Sequence, residues 1–241
     1  MNPAASIRIV EETGSTNADL AALIREGMAP ATGEWLVARR QVAGRGRQGR
    51  EWFDGSGNFM GSSVVLRLDQ DPPPASLSFV AALAVHDAAG AALAGQGELA
   101  LKWPNDVLLD GGKLSGILLE MVGRHIVVGV GVNLSRAPDL AARRTAAIAD
   151  HGDVPSLEAF SRSLADAFTN RLSDWRERGL SVTLQRFLDA SIHEPGSPLR
   201  VHDGEGDPVE GRFAGLETSD GALRLRLADG SERVIRAGDI E

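Results

Sequence analysis

The sequence predicts an α+β protein: a mixed sheet flanked by helices over residues 1–194, then a small β-rich unit over residues 195–241. Three observations carry this. Near the N-terminus a strand pattern, a cluster of helix-capping residues and an amphipathic helix pattern follow one another. In mid-chain, strand patterns succeed each other with only tight turns between them, which calls for antiparallel pairing. After Glu194-Pro195-Gly196-Ser197-Pro198 the texture shifts to short alternating segments punctuated by Asp203-Gly204, Asp220-Gly221 and Asp229-Gly230, each a hairpin signal.

The elements follow in order. Residues 6–10 alternate as a strand, and Gly14-Ser15-Thr16-Asn17 supplies N-cap chemistry for a helix over 18–26, where Leu20, Leu23 and Ile24 share a face. Residues 35–38 form a second strand. Residues 41–57, with five glycines and no amphipathic period, read as a long loop, of the kind that is functional or disordered. A strand over 58–68 ends at Asp71-Pro72-Pro73-Pro74. From Ser76, Leu77, Val80, Ala81, Ala84, Val85 and Ala88 follow the helical period for four or five turns. Short strands at 99–103 and 107–109, a turn at Asp110-Gly111-Gly112, and strands at 114–122 and 125–132 complete the sheet. The Ala/Arg-rich stretch to Asp150 fits no single element. Ser156 caps a helix to about Glu177, and a shorter helix covers 181–190.

Composition narrows the functions. With 25 Lys+Arg against 33 Asp+Glu the net charge is −8, which makes a nucleic-acid clamp a poor first expectation. Zero cysteine excludes a disulfide scaffold, a thiolate zinc site, an iron–sulfur cluster and a thiol nucleophile. The most apolar stretch is broken by His86 and Asp87, so no membrane span is expected. The N-terminus lacks a basic region followed by an apolar one, so a cytoplasmic protein is expected. Of the basic residues only Lys102 and Lys113 are lysines. Where arginine otherwise serves, a retained lysine points to a need for a compact ammonium.

Several segments carry chemistry. Gly44-Arg45-Gly46-Arg47-Gln48-Gly49 matches a dinucleotide fingerprint in letters, yet Arg50-Glu51-Trp52-Phe53 does not open a helix, so that reading fails. Arginines among glycines suit an anion cradle, with Trp52 and Phe53 able to cover a planar ligand; a solvated flexible loop is the plain alternative. Gly112-Lys113 lacks the glycine and hydroxyl residue of a P-loop, and Lys113 instead opens a strand past a tight turn. Lys102-Trp103-Pro104-Asn105-Asp106 ends a strand on an amide and a carboxylate suited to an adenine edge and Mg²⁺, or to a simple turn. Gly129 and Gly131 in Gly129-Val130-Gly131-Val132-Asn133 lie on one strand face, where a ligand could lie flat or a neighbour pack close. Ser15, Thr16 and Asn17 offer small hydrogen-bonding groups beyond what capping needs. The five histidines have no metal-ligand spacing, and no serine sits in a nucleophile elbow.

In their order along the chain, Ser15-Thr16-Asn17, Gln41, the Gly44–Trp52 segment (GRGRQGREW), Lys102-Trp103-Pro104-Asn105-Asp106 (KWPND), Lys113-Leu114-Ser115-Gly116-Ile117-Leu118 and the 129–133 segment resemble the biotin protein ligases. The resemblance covers nearly the whole chain. It implies a biotin/lipoate ligase-like catalytic domain with an SH3-like C-terminal barrel, biotin and ATP as substrates, Mg²⁺, and a two-step reaction. Biotinyl-5′-AMP forms first, and the biotinyl group then passes to a lysine of a biotin carboxyl carrier domain. By the same resemblance Arg47 and Lys113 are catalytic. Ser15, Thr16, Asn17, Gln41, Gly44, Arg45, Gly46, Gly116, Leu118, Gly129 and Gly131 join them around biotin. Arg50, Trp52, Asn105 and Asn133, again with Arg47 and Lys113, hold the adenylate, and Asp106 touches the metal.

Attack of a carboxylate on a triphosphate needs cations where the anions meet, and no acid–base residue, which suits this composition. Two departures stand out: Gln48 occupies a position that is often Arg in the family, and 14 residues precede Ser15, too few for the DNA-binding domain of bifunctional members. A ligase that is not a repressor is therefore expected, with no DNA or membrane partner and a homodimer left open. A lipoate or octanoate ligase of the same fold is the alternative, and a nucleic-acid-binding module is a more distant one.

Overall fold

A computed structural model describes residues 6–53, 55–140, 143–203 and 207–240. Seven strands build the main sheet: β1 (Ile7–Thr13), β2 (Trp35–Gln41), β3 (Phe59–Leu66), β4 (Leu99–Lys102), β5 (Asp106–Leu109), β6 (Gly112–Val122) and β7 (His125–Val132). Their order is β1-β2-β3-β7-β6-β5-β4. β1 and β2 run parallel because a helix connects them, while every other neighbour pair is antiparallel. The sheet is thus mixed, as the sequence predicts.

Strand alternation divides the core between two faces. Trp35, Val37, Phe59, Val128 and Val130 point to the face covered by α2 (Leu77–Leu93) and α3 (Leu157–Arg178). Leu36, Val64 and Val127 point the other way, onto Leu20 and Ala21 of α1 (Thr16–Arg25). α2 is apolar on all sides because sheet, α3 and α4 (Leu180–Asp189) enclose it. By length and hydropathy the span Pro74–Leu93 could cross a membrane, but two thirds of its window (67%) is buried inside the fold. Ser156 caps α3 as expected, its hydroxyl accepting from the Ala159 N–H at 3.2 Å. Arg171 of α3 grips Asp87 of α2 with two bonds, at 2.7 and 2.8 Å.

The small C-terminal unit is a five-stranded antiparallel sheet of β8 (Pro198–His202), β9 (Val209–Leu216), β10 (Leu223–Arg226), β11 (Glu232–Ile235) and β12 (Asp239–Ile240), ordered β11-β10-β9-β8-β12. Asp220-Gly221 and Asp229-Gly230 lie in the turns before and after β10, while Gly204 falls outside the described residues. This sheet does not stand apart. Trp103 Nε1 donates to the Gly221 carbonyl at 3.1 Å, and Val201, Phe213 and Leu223 belong to the same continuous core as α2 and the main sheet.

The loop expected over residues 41–57 carries local order. Arg45 and Glu51 form an antiparallel bridge around a single 3₁₀ turn at Arg47–Gly49, with Gln48 left-handed at φ 56°. The ambiguous stretch after Asn133 is pinned to the sheet: the Lys113 N–H donates to the Arg144 carbonyl at 2.9 Å, and the Ala146 N–H to the Lys113 carbonyl at 3.0 Å.

Candidate active site

α1 covers only part of its sheet face, and beyond its N-terminus that face is floored by three glycines and a serine between larger residues. The register places Ser62, Gly129 and Leu118 side by side, with Met60, Gly131 and Gly116 in the next row. A cavity of about 1050 Å³ stands on this floor and is roofed by the 41–53 segment. Of the residues the sequence singles out, Ser15, Thr16, Asn17, Gln41, Gly44, Arg45, Gly46, Arg47, Arg50, Trp52, Asn105, Asp106, Lys113, Gly116, Leu118, Gly129, Gly131 and Asn133 all line it.

The glycines leave room for protein atoms. A Cβ at Gly129 would lie 2.1 Å from Asn17 Oδ1, and one at Gly131 would lie 2.2 Å from Trp52 Cε2. The indole of Trp52 therefore rests directly on the floor, with its Nε1 buried and lacking a hydrogen-bond partner.

One end of the cavity is polar and neutral. Ser15 sits at the N-cap of α1 without making a capping bond. The Thr16 N–H donates to Gln41 Oε1 at 2.7 Å, the Thr16 and Ser62 hydroxyls are 2.6 Å apart, and Ser62 Oγ donates to Asn17 Oδ1 at 2.6 Å. All of these side chains are buried.

The other end is cationic. Arg47 donates to Asn105 Oδ1 at 2.8 Å, to the Gly238 carbonyl at 3.2 Å and to Asp239 Oδ1 at 3.4 Å, and Arg50 reaches Asp239 Oδ2 at 2.8 Å. Lys113 Nζ donates to Asp106 Oδ1 at 2.5 Å, with Arg143 3.8 Å from the other oxygen. Burial pulls the Lys113 ammonium below the ordinary lysine range, and the charge of Asp106 opposes that pull. Lys102, beneath the same strand end, is lowered by burial as well.

The two amides differ. Asn105 spends both ends on the protein, accepting from Arg47 and donating to the Ile117 carbonyl at 2.8 Å. Asn133 donates to the Lys113 and Ala146 carbonyls, but its Oδ1 is buried without a partner, an acceptor available to a ligand. A Mg²⁺ at this end would rest on the single carboxylate of Asp106 together with the phosphates of ATP. Among the described residues no three His, Cys, Asp or Glu gather, and Asp106 is already held between two cations. Sequence reasoning missed Ser62, Glu120, Arg143 and Asp239. A serine pair inside the apolar strand pattern of 58–68 was a signal for Ser62, whereas Asp239 meets Arg47 across 192 positions and had none.

A glycine-floored sheet face, a neutral polar end and an arginine–lysine end define a protein that binds a small, largely apolar acid beside a polyanion. The chain belongs to the biotin/lipoate A/B protein ligase family, whose model matches residues 15–133; the model for the biotin protein ligase C terminal domain matches residues 196–241. It is 39% identical to a biotin–[acetyl-CoA-carboxylase] ligase of Paracoccus denitrificans, over 96% of this chain and 98% of that one. It is 36% identical to the ligase of the same description from Mycobacterium tuberculosis, over 96% and 87%. Among solved structures, biotin protein ligase from Aquifex aeolicus in complex with biotin and ATP shares the fold, with a TM-score of 0.83 at 23% identity over 98% and 97% of the two chains.

Proposed function

We propose that the protein is an ATP-dependent biotin–[biotin carboxyl carrier protein] ligase. The observation that carries this reading is the placing of Arg47 and Lys113 at one end of a cavity whose other end offers neutral donors and acceptors. Family membership and the two curated relatives support it.

In this reading the biotin ureido group lies among Ser15, Thr16, Asn17, Gln41 and Arg45. Its ring and chain cross Gly116, Leu118, Gly129 and Gly131, beneath Gly44 and Gly46. A carboxylate oxygen attacks the α-phosphorus of ATP, the bond to the β-phosphate oxygen breaks, and pyrophosphate leaves with biotinyl-5′-AMP retained. Arg47 and Lys113 offset the charge gathered where the two anions meet. Asp106 acts as counter-ion to Lys113 and would be the carboxylate that meets a Mg²⁺ carried on the ATP phosphates, which would offset their charge. Asn133 Oδ1 accepts from the adenine amino group, Trp52 covers the ring, and Arg50 faces the phosphates. Asn105 serves the adenylate through Arg47. The amine of a carrier-domain lysine then attacks the acyl carbon and releases AMP.

We place this activity in the cytoplasm and the domain boundary at 194/195. Incubation with biotin, ATP and a biotin carboxyl carrier domain is expected to biotinylate one carrier lysine. Acylation of a lipoyl domain with lipoate, and none with biotin, contradicts the reading.

A further inference from the structure

Glu120 of β6 takes no part in the mechanism above and does not line the cavity. Both of its carboxylate oxygens are nevertheless engaged at the polar end: Oε2 accepts from Asn17 Nδ2 at 3.3 Å, and Oε1 lies 3.3 Å from Arg45 Nη2. A carboxylate only accepts, so it turns the nitrogen end of the Asn17 amide toward itself and the oxygen end toward Ser62. The Ser62 proton is then committed to Asn17 Oδ1, which leaves Ser62 Oγ an acceptor toward Thr16, whose hydroxyl has Gln41 Oε1 at 3.0 Å as its other partner. Thr16 also holds Gln41 Oε1 through its backbone N–H at 2.7 Å, so the Gln41 contact stands whichever way the Thr16 proton turns. One fixed charge outside the cavity thus sets the donor and acceptor directions of Asn17 and Ser62 inside it. Gly129 is the steric counterpart, since a Cβ there would meet Asn17 Oδ1 at 2.1 Å and push the amide off this line.

We propose that Glu120 is a positioning residue for ligand recognition: it fixes the hydrogen-bond polarity of the neutral end and tethers Arg45 above it, and so governs affinity for biotin and not the rate of adenylate formation. This rests on the biotin reading above. A ligand whose polar group presents a carbonyl flanked by N–H groups needs donors and acceptors in one fixed arrangement, and a disordered amide forfeits that selectivity.

Steady-state adenylation kinetics of the full chain test it. Glu120→Ala is expected to raise the KM for biotin about tenfold, as befits loss of a charge-assisted bond, while kcat and the KM for ATP stay within about twofold. Glu120→Gln keeps the shape and an acceptor for Asn17 and is expected to recover most of the biotin KM. Asn17→Ala made in the Glu120→Ala background is expected to cost less than in the wild type, because the two act through one network. An unchanged biotin KM in Glu120→Ala, or equal rises for biotin and ATP, overturns the proposal while leaving the ligase reading intact. A wild-type protein that adenylates lipoate and ignores biotin overturns both.

Discussion

At the scale of single residues, the site is governed by what buried charges and missing side chains allow. Lys113 is the clearest case. Burial favours its neutral form, and Asp106 at 2.5 Å is the principal influence keeping it cationic. If the ammonium is the active form, activity falls at high pH as Lys113 loses its proton, and at lower pH than an ordinary lysine would dictate. Asp106→Asn removes the supporting charge, so the alkaline limb of kcat/KM is expected to move further toward neutral pH. A limb that does not move would show that Asp106 serves the metal alone. The residue types at this site were largely legible in the sequence, since arginine among glycines and a scarce lysine past a turn each carry a chemical reason. Their partners were not: that Asn105 is spent within the protein while Asn133 keeps an unpartnered acceptor depends on strand register.

At the scale of elements, periodicity and caps succeeded where local chemistry decides. Ser156 begins α3, the successive strands 99–132 pair antiparallel, and the helix after Pro74 runs from Leu77 to Leu93. The stretch after Asn133 defeated local reading because the bonds that pin it, from residues 144–149, go to Lys113, Asn133 and Leu134 at the strand ends. The link from α4 to β8 holds a further consequence. His193 is buried there against Phe213, its rings 5.6 Å apart, and burial with help from the Lys102 charge lowers its pKa to about 4. The unfolded chain takes up a proton near 6.5, so between pH 6.5 and 4 it binds more protons than the folded one, and stability falls as pH drops through that window. At about 1.4 kcal/mol per unit, the loss from this group is on the order of 3 kcal/mol. His193→Leu is expected to flatten the acid side of a urea-denaturation series; an unchanged slope would mean His193 titrates normally.

At the scale of the whole molecule, the two sheets act as one body. Asp239 of β12 holds Arg47 and Arg50 of the loop over the cavity, Trp103 bonds the Gly221 carbonyl, and one apolar core runs through both units. The sequence marked the change of texture near 195 but could not reveal this union, because it rests on pairs more than a hundred positions apart. A single cooperative unfolding transition is therefore expected by calorimetry, and two separated transitions would contradict it. The clasp also makes the cationic end a joint product of loop and C-terminal unit, so a net charge of −8 coexists with a local site for anions. The most direct measurement of the central claim is ATP–pyrophosphate exchange. The wild-type protein is expected to exchange only when biotin is present, and Lys113→Ala and Arg47→Ala to lose most of that exchange while keeping the fold; exchange independent of biotin, or undiminished in both variants, would contradict the account.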